Sequence, residues 1–327
     1  MIGRVATLAL AALLAGAVSG PALAEKGSAE KGLAEKGLAQ TVYAVSQEGG
    51  TLTPVAPSGA AIPVGKGPAQ VAAGPDGRLY LAHSDTHTVS VVDGPSGAVL
   101  ARLPFAGQPF GVAVAPDGRS LFVGDWSGAR VVRLSTATGA VEGSVGVGRD
   151  PAGLVLDTRG LLYVADREIR QVSVVDTATM TRIATVPVGE GPFALALNPA
   201  QDRLYVACVR SSDLHAIDTA TLTIVGRAAL GGMPYGVAVS GDGARILVTN
   251  QQAGTLVVLD AALTPVATIP VGRYPEGVAV SGDRAYVANW FSDSVSVIDL
   301  PTLAETARLP VGEGPRGLAV LMSKEIP

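Results

Sequence analysis

Seven prolines recur along this chain at nearly constant spacing, and that period limits what the chain can fold into. A segment of the form V-G-x-x-P appears as VGKGP, FAGQP, VGRDP, VGEGP, LGGMP, VGRYP and VGEGP. Its prolines are Pro68, Pro109, Pro151, Pro192, Pro234, Pro275 and Pro315, separated by 41, 42, 41, 42, 41 and 40 residues. Between them, apolar and small or polar residues alternate at period two, the pattern of half-buried strands. The unit after Pro275 reads as four strands: Gly277–Ser281, Arg284–Asn289, Ser294–Asp299 and Ala307–Gly312. Turn chemistry divides them, with Pro75-Asp76-Gly77 and Pro116-Asp117-Gly118 after first strands and Asp176-Thr177-Ala178-Thr179 after a third. Four short antiparallel strands in about 40 residues make one β-propeller blade. With 41 Gly and 22 Pro in 327 residues, a mainly helical chain is excluded.

The two ends complete the count. After Pro315 there is room for one strand, Gly317–Leu321. Before Pro68 there are three, Thr41–Ser46, Thr51–Val55 and Ala61–Val64. One strand from the end and three from the beginning form a seventh blade and close the ring, leaving no blade edge unpaired there. The sequence thus predicts an all-β, seven-bladed propeller over residues 41–327, with one blade shared between the termini.

The repeat core Pro-x-Gly-Val-Ala-Val-Ser-x-Asp-Gly, followed by Leu-Tyr-Val-Ala/Thr-Asn and Thr/Ser-Val-Ser-Val-Ile-Asp, resembles the YVTN family of propeller repeats. Residues 234–260 and 275–299 match it closely and the other units loosely. The resemblance implies a seven-bladed ring, often exported, that binds a ligand or partner on one face. It transfers no catalytic residue.

The N-terminus has the layout of a secretory signal peptide: Arg4, the apolar run Val5–Val18, and Ala22-Leu23-Ala24 as a cleavage site. Residues 1–24 are therefore expected to be removed, leaving a periplasmic or secreted protein with no membrane span. Residues 25–40, EKGSAEKGLAEKGLAQ, are a Gly-interrupted low-complexity tether. A single cysteine, Cys208, permits no intrachain disulfide; a monomer is expected. A net charge of −4 gives no basis for nucleic-acid binding.

Strand direction assigns side chains to faces. The residue after each repeat proline, the first of each innermost strand, should ring the channel mouth: Ala69, Phe110, Ala152, Phe193, Tyr235, Glu276 and Arg316. The V-G-x-x-P loops add Lys66, Arg149, Glu190, Arg273 and Tyr274, and the loops after the second strands add Trp126, Arg167, Trp290 and Phe291. Aromatics are only 4% of the chain, yet both tryptophans and three of five phenylalanines fall on this face. Aromatic and Arg-rich surfaces favour binding. The candidate binding set is Phe110, Trp126, Arg149, Arg167, Phe193, Tyr235, Arg273, Tyr274, Glu276, Trp290, Phe291 and Arg316. Glu276 and Arg316, on adjacent blades, are expected to pair, and the partner is a protein or small ligand.

The alternative is a propeller enzyme of the lyase, lactonase or quinone-dependent kind, with its site at the mouth. Such enzymes need convergent polar groups in the channel, and the innermost strands carry no histidine. No cofactor is expected, since C-x-x-C-H is absent and one cysteine cannot supply it. His83, Asp85 and His87 have the one metal-like spacing, but they lie where other blades make a turn. The residues that end the second strands (Ser46, His83, Asp125, Asp166, Cys208, Asn250, Asn289) are expected to hold turns.

Overall fold

The computed structural model describes residues 39–323. The signal peptide and nearly all of the tether expected from sequence lie outside the described residues. Seven four-stranded antiparallel sheets follow one another around a ring. Innermost strands begin at each repeat proline: Pro68–Ala73, Pro109–Val114, Pro151–Leu156, Pro192–Leu197, Pro234–Val239, Pro275–Ser281 and Pro315–Ser323. Proline suits the first residue of a strand because its missing N–H falls outside the ladder. In the seventh sheet, Ala39–Ser46 runs antiparallel to Pro315–Ser323, from Ala39 opposite Ser323 to Ser46 opposite Pro315. The two ends of the described chain therefore close the ring.

The core lies between neighbouring blades. Second strands are buried on both sides, as in Leu161–Asp166 and Ile246–Asn250. They carry one tyrosine each in five blades (Tyr43, Tyr80, Tyr163, Tyr205, Tyr286), all at most 4% exposed. Burying a large apolar side chain stabilises by about 1.5–3 kcal/mol. Tyr43 also donates its hydroxyl to Gly94 O, 2.8 Å away in the next blade, and so ties the seam to its neighbour. Outermost strands such as Val99–Pro104 alternate between half-buried and exposed, as edges facing solvent on one side must.

Several strand bounds differ from the sequence reading, and two of the shifts have a local cause. The fourth strand of the sixth blade is Ala304–Pro310, earlier than Ala307–Gly312, because Ala304 already pairs with Asp299 and the register slips between Val297 and Ile298. The fourth strand of the shared blade shrinks to Ile62–Pro63. There Pro57, Pro63 and Gly59 interrupt the pairing that a longer strand would need.

Around the axis the innermost strands pack backbone to backbone. A Cβ on Gly153 would lie 2.5 Å from Phe193 O, so only glycine permits that approach.

Candidate functional site

Each innermost strand carries a register slip directly after its proline, for example between Pro192 and Leu195 and between Pro234 and Val237. A slip of this kind leaves the second residue outside the ladder and re-aims its side chain. The second residue is the one expected at the mouth, and the structure brings Ala69, Phe110, Ala152, Phe193 and Tyr235 together there in one buried cluster. Phe193 and Tyr235 rings stand 4.1 Å apart, Phe110 and Phe193 5.8 Å, and Phe110 and Trp126 4.8 Å.

This arrangement divides the candidate set. Phe110, Phe193 and Tyr235 are at most 9% exposed and plug the axis. Trp126, Arg167, Tyr274 and Trp290 are half-buried around them, while Arg149, Arg273 and Phe291 are exposed at the rim. Phe291 stacks on Tyr274 at 5.0 Å, and Arg273 donates to Ser292-neighbouring Phe291 O. The inner aromatics therefore fill space, and the outer ones offer surface.

The last two mouth positions hold the charge. Arg316 Nε lies 3.1 Å from Glu276 Oε2, as expected from adjacent blades. Arg316 also donates to Gln47 Oε1 and Tyr235 Oη, each at 2.6 Å. Its guanidinium sits 5.1 Å from the Phe110 ring and 5.6 Å from the Trp290 ring. Gln251 donates to Glu276 Oε1 at 3.0 Å. Burial outweighs these partners and pushes the Glu276 carboxyl up to about 7. Burial also raises the Tyr235 phenol. For Arg316 burial acts against the charge, but Tyr235 and Glu276 prevail and the guanidinium is held more firmly protonated.

Above this floor is a cavity of 380 Å³, within the size range of small-molecule sites. The residues missed by the sequence reading are Gln47, Ser84, Gln108, Val209, Met233 and Gln251, which line it with Asp85 and eight of the candidates: Phe110, Trp126, Arg167, Phe193, Tyr235, Tyr274, Glu276 and Arg316. The signal was present. Gln47, Ser84, Val209 and Gln251 occupy the repeat position of Trp126, Arg167 and Trp290, one residue past the end of the second strand. Below the plug, a narrower bore of 220 Å³ is lined by small and apolar residues, with Gln70 adding an amide. Of the expected loop residues, Trp126, Arg167 and Tyr274 line the cavity, whereas Lys66, Arg149, Glu190, Arg273, Trp290 and Phe291 do not. The Lys66 carbonyl takes up His83, and Glu190 pairs with Arg170 at 2.9 Å.

The weak metal set does not come together. His83 is buried with Nδ1 2.9 Å from Lys66 O, and burial lowers its pKa. His87 sits at φ 53° and turns its Nδ1 to Gly107 O. The segment makes a turn, as at the same point of other blades, so the shared face of an extended segment is lost. Among the described residues, a different trio clusters: Cys208, Asp213 and His215, with ligating atoms within 4.8 Å of one another. Its carboxylate is already engaged by Arg227, by Ser211 Oγ at 2.7 Å and by His215 Nε2 at 3.2 Å. Burial pushes the Cys208 thiol up to about 12. The equivalent residues Asp166, Gln171 and Ser173 form the same kind of hydrogen-bonded knot.

Fold and repeat together define the class: a seven-bladed propeller whose units resemble YVTN-type repeats. A family model described as the cytochrome D1 heme domain matches residues 156–289. The curated relatives named Uncharacterized protein YncE, from Salmonella typhi and from Salmonella typhimurium strain LT2, are each 28% identical over 135 residues. That is 40% of this chain and 38% of theirs, so the match spans well under half their length. Among solved structures, the Kuenenia stuttgartiensis hydrazine synthase superposes with a TM-score of 0.70 at 20% identity, over 77% of this chain and 89% of that one. A functionally unknown protein from Desulfotomaculum acetoxidans DSM 771 gives 0.74 at 13% identity, over 88% of this chain and 100% of its own. A streptogramin B lyase gives 0.68 at 13%, over 77% and 86%. These likenesses show the fold.

The mouth does not suit a haem. Haem iron takes an axial His, Cys, Met or Tyr. No imidazole or thiol lines the cavity, the Tyr235 phenol is bonded to Arg316, and Met233 packs against the aromatic cluster. Among the described residues, no helix is long and apolar enough to cross a membrane.

Proposed function

We propose that this is an exported binding protein whose ligand site is the channel mouth. The observation that carries the reading is the separation of roles: a buried aromatic plug and ion pair form a rigid floor, and half-buried Trp126, Arg167 and Tyr274 line the cavity above it. Large, stiff amphipathic side chains at the centre of a concave face are the usual anchors of recognition. The test is a small-molecule screen read by quenching of Trp126 and Trp290, repeated on the Trp126→Ala/Tyr274→Ala double variant. Hits lost in a variant that melts normally support the mouth. Hits that survive it place binding elsewhere and overturn the reading.

One observation favours an enzyme as the second reading. A buried carboxyl with a pKa of about 7 is suited to proton transfer at neutral pH, and Glu276 is one, at the mouth. Turnover of a mouth ligand that Glu276→Gln abolishes, with binding retained, would establish that role.

A further inference from the structure

We propose that the ligand of the mouth is a small aromatic carboxylate, bound together with one proton that Glu276 takes up; this rests on the mouth being the ligand site.

The first argument is a count of hydrogen-bonding capacity. A guanidinium has five N–H donors and no acceptor. Arg316 uses two of its donors, toward Gln47 and Tyr235. Its Nε faces Glu276 Oε2 at 3.1 Å, but neither atom has an aligned hydrogen bond. Across the mouth, Arg167 donates only to Glu168, and its Nε is buried without a partner. Each guanidinium thus keeps a buried Nε donor without a partner, and a ligand that presents acceptors can meet them. A carboxylate fits best, because it accepts from a guanidinium in a bidentate manner.

Charge supplies the second argument. The lining carries Arg167 and Arg316 against Asp85 and Glu276, which balance when Glu276 is ionised. Asp85 is exposed and solvated, whereas Glu276 is 4% exposed. A bound anion beside Arg316 would leave two carboxylates sharing one cation in a buried place, an arrangement that favours protonating one of them. Glu276 is the one to protonate, since burial already weakens its charged form. Its other ionisable neighbours are Tyr235 and Arg316 on the flanking innermost strands, with Tyr274 acting on Arg316 and Arg167 on Tyr235. Burial raises the Tyr235 phenol and the Arg316 guanidinium is held protonated, so of these three groups the Glu276 carboxyl is the one that takes the proton. It comes from solvent, and the protonated Glu276 can then donate to the ligand or to Gln251 Oε1, which is buried and unpartnered.

The aromatic part follows from the walls. Trp126 and Tyr274 both line the cavity, and its 380 Å³ takes one ring with a short side chain.

Calorimetric titration with phenylacetate, phenylacetamide and phenethylamine tests this, at pH 6 and pH 8 and in two buffers of different ionisation enthalpy. The expected result is binding of phenylacetate, with the amide and amine weaker by about tenfold or more, and one proton taken up per ligand at pH 8. Above pH 7 the phenylacetate dissociation constant should rise about tenfold per pH unit. Glu276→Gln should remove both the proton uptake and the slope and should bind more tightly than the parent at pH 8, a gain that misfolding cannot produce. Equal or tighter binding of the amide or amine, carboxylate binding without proton uptake, or no binding by any of the three overturns the inference. In the first two cases, loss of the same signal in Trp126→Ala/Tyr274→Ala leaves the mouth standing as the site and removes only the ligand class. In the third, the library screen decides the mouth separately.

Discussion

At the top of the second strand, two adjacent residues meet opposite fates in the blades of Asp125 and Asn250. The first ends the strand and turns inward to its own blade. Asp125 accepts from Gln108 N at 2.9 Å, Gly128 N at 3.0 Å and Arg130 Nε at 2.9 Å. Asn250 accepts from Met233 N and donates to Gly231 O, each at 2.9 Å. These side chains clamp the V-G-x-x-P loop, as expected of turn-holding residues. The next residue (Trp126, Arg167, Gln251) faces the cavity. Asp125 and Asn250 are the last residues of their strands, so the chain leaves the ladder at the next residue and that side chain takes the other side. The same ring of loops therefore contains a scaffold that must stay polar and satisfied, and a surface free to vary.

The sharpest way to break this division is to cut within the mouth itself. Phe193 is 5% exposed, so Phe193→Ala should act as a core truncation and cost about 3–5 kcal/mol in urea denaturation. A cost under about 1 kcal/mol would mean the plug is not packed. Asp125→Ala comes next, at about 2–4 kcal/mol, because it orphans several donors around a residue 1% exposed. Its neighbour Trp126→Ala should cost about 1 kcal/mol while removing ligand quenching, and similar costs for the two would erase the distinction.

Glu276 gives a milder, pH-dependent effect. Its folded pKa, about 7, is raised above the ordinary 4.5, so the folded state binds its proton more tightly than the unfolded chain does. That contribution is fully present below pH 4.5 and is lost as pH rises through 7, giving a fall of about 1–3 kcal/mol between pH 5 and pH 8. Glu276→Gln should flatten the curve, and an unchanged slope in that variant would assign it to other groups. The smallest effect is chemical. Cys208 is fully buried with its thiol pushed up to about 12, so it should resist iodoacetamide at pH 8 when folded and react fully in urea.

Much of the site was legible because the repeat supplies a coordinate system. Knowing that Phe110, Tyr235 and Glu276 hold one repeat position was enough to group them at the mouth, and Glu276 with Arg316 as a pair. Gln47 and Gln251 stand at an equally informative position, but an amide draws no attention in a sequence, and its importance here comes from what it touches. The division between Phe193 and Trp126 was not legible either. Both are aromatic and both belong to the top face, and only the slip after Pro192 aims one at the axis while the strand end leaves the other on the wall. The spacing of His83, Asp85 and His87 suggested a shared face for the opposite reason, since it assumed extension where the backbone turns.

Blade number, strand count per blade and closure by the two ends follow from the order of residues alone, because alternation, proline placement and turn chemistry act over a few neighbours and repeat seven times. The charged floor of the mouth is another matter. Arg316 reaches Gln47 across 269 positions and Tyr235 across 81, contacts that exist only once the ring is shut. Burial then sets their strength, and burial belongs to the assembled ring and to no stretch of sequence.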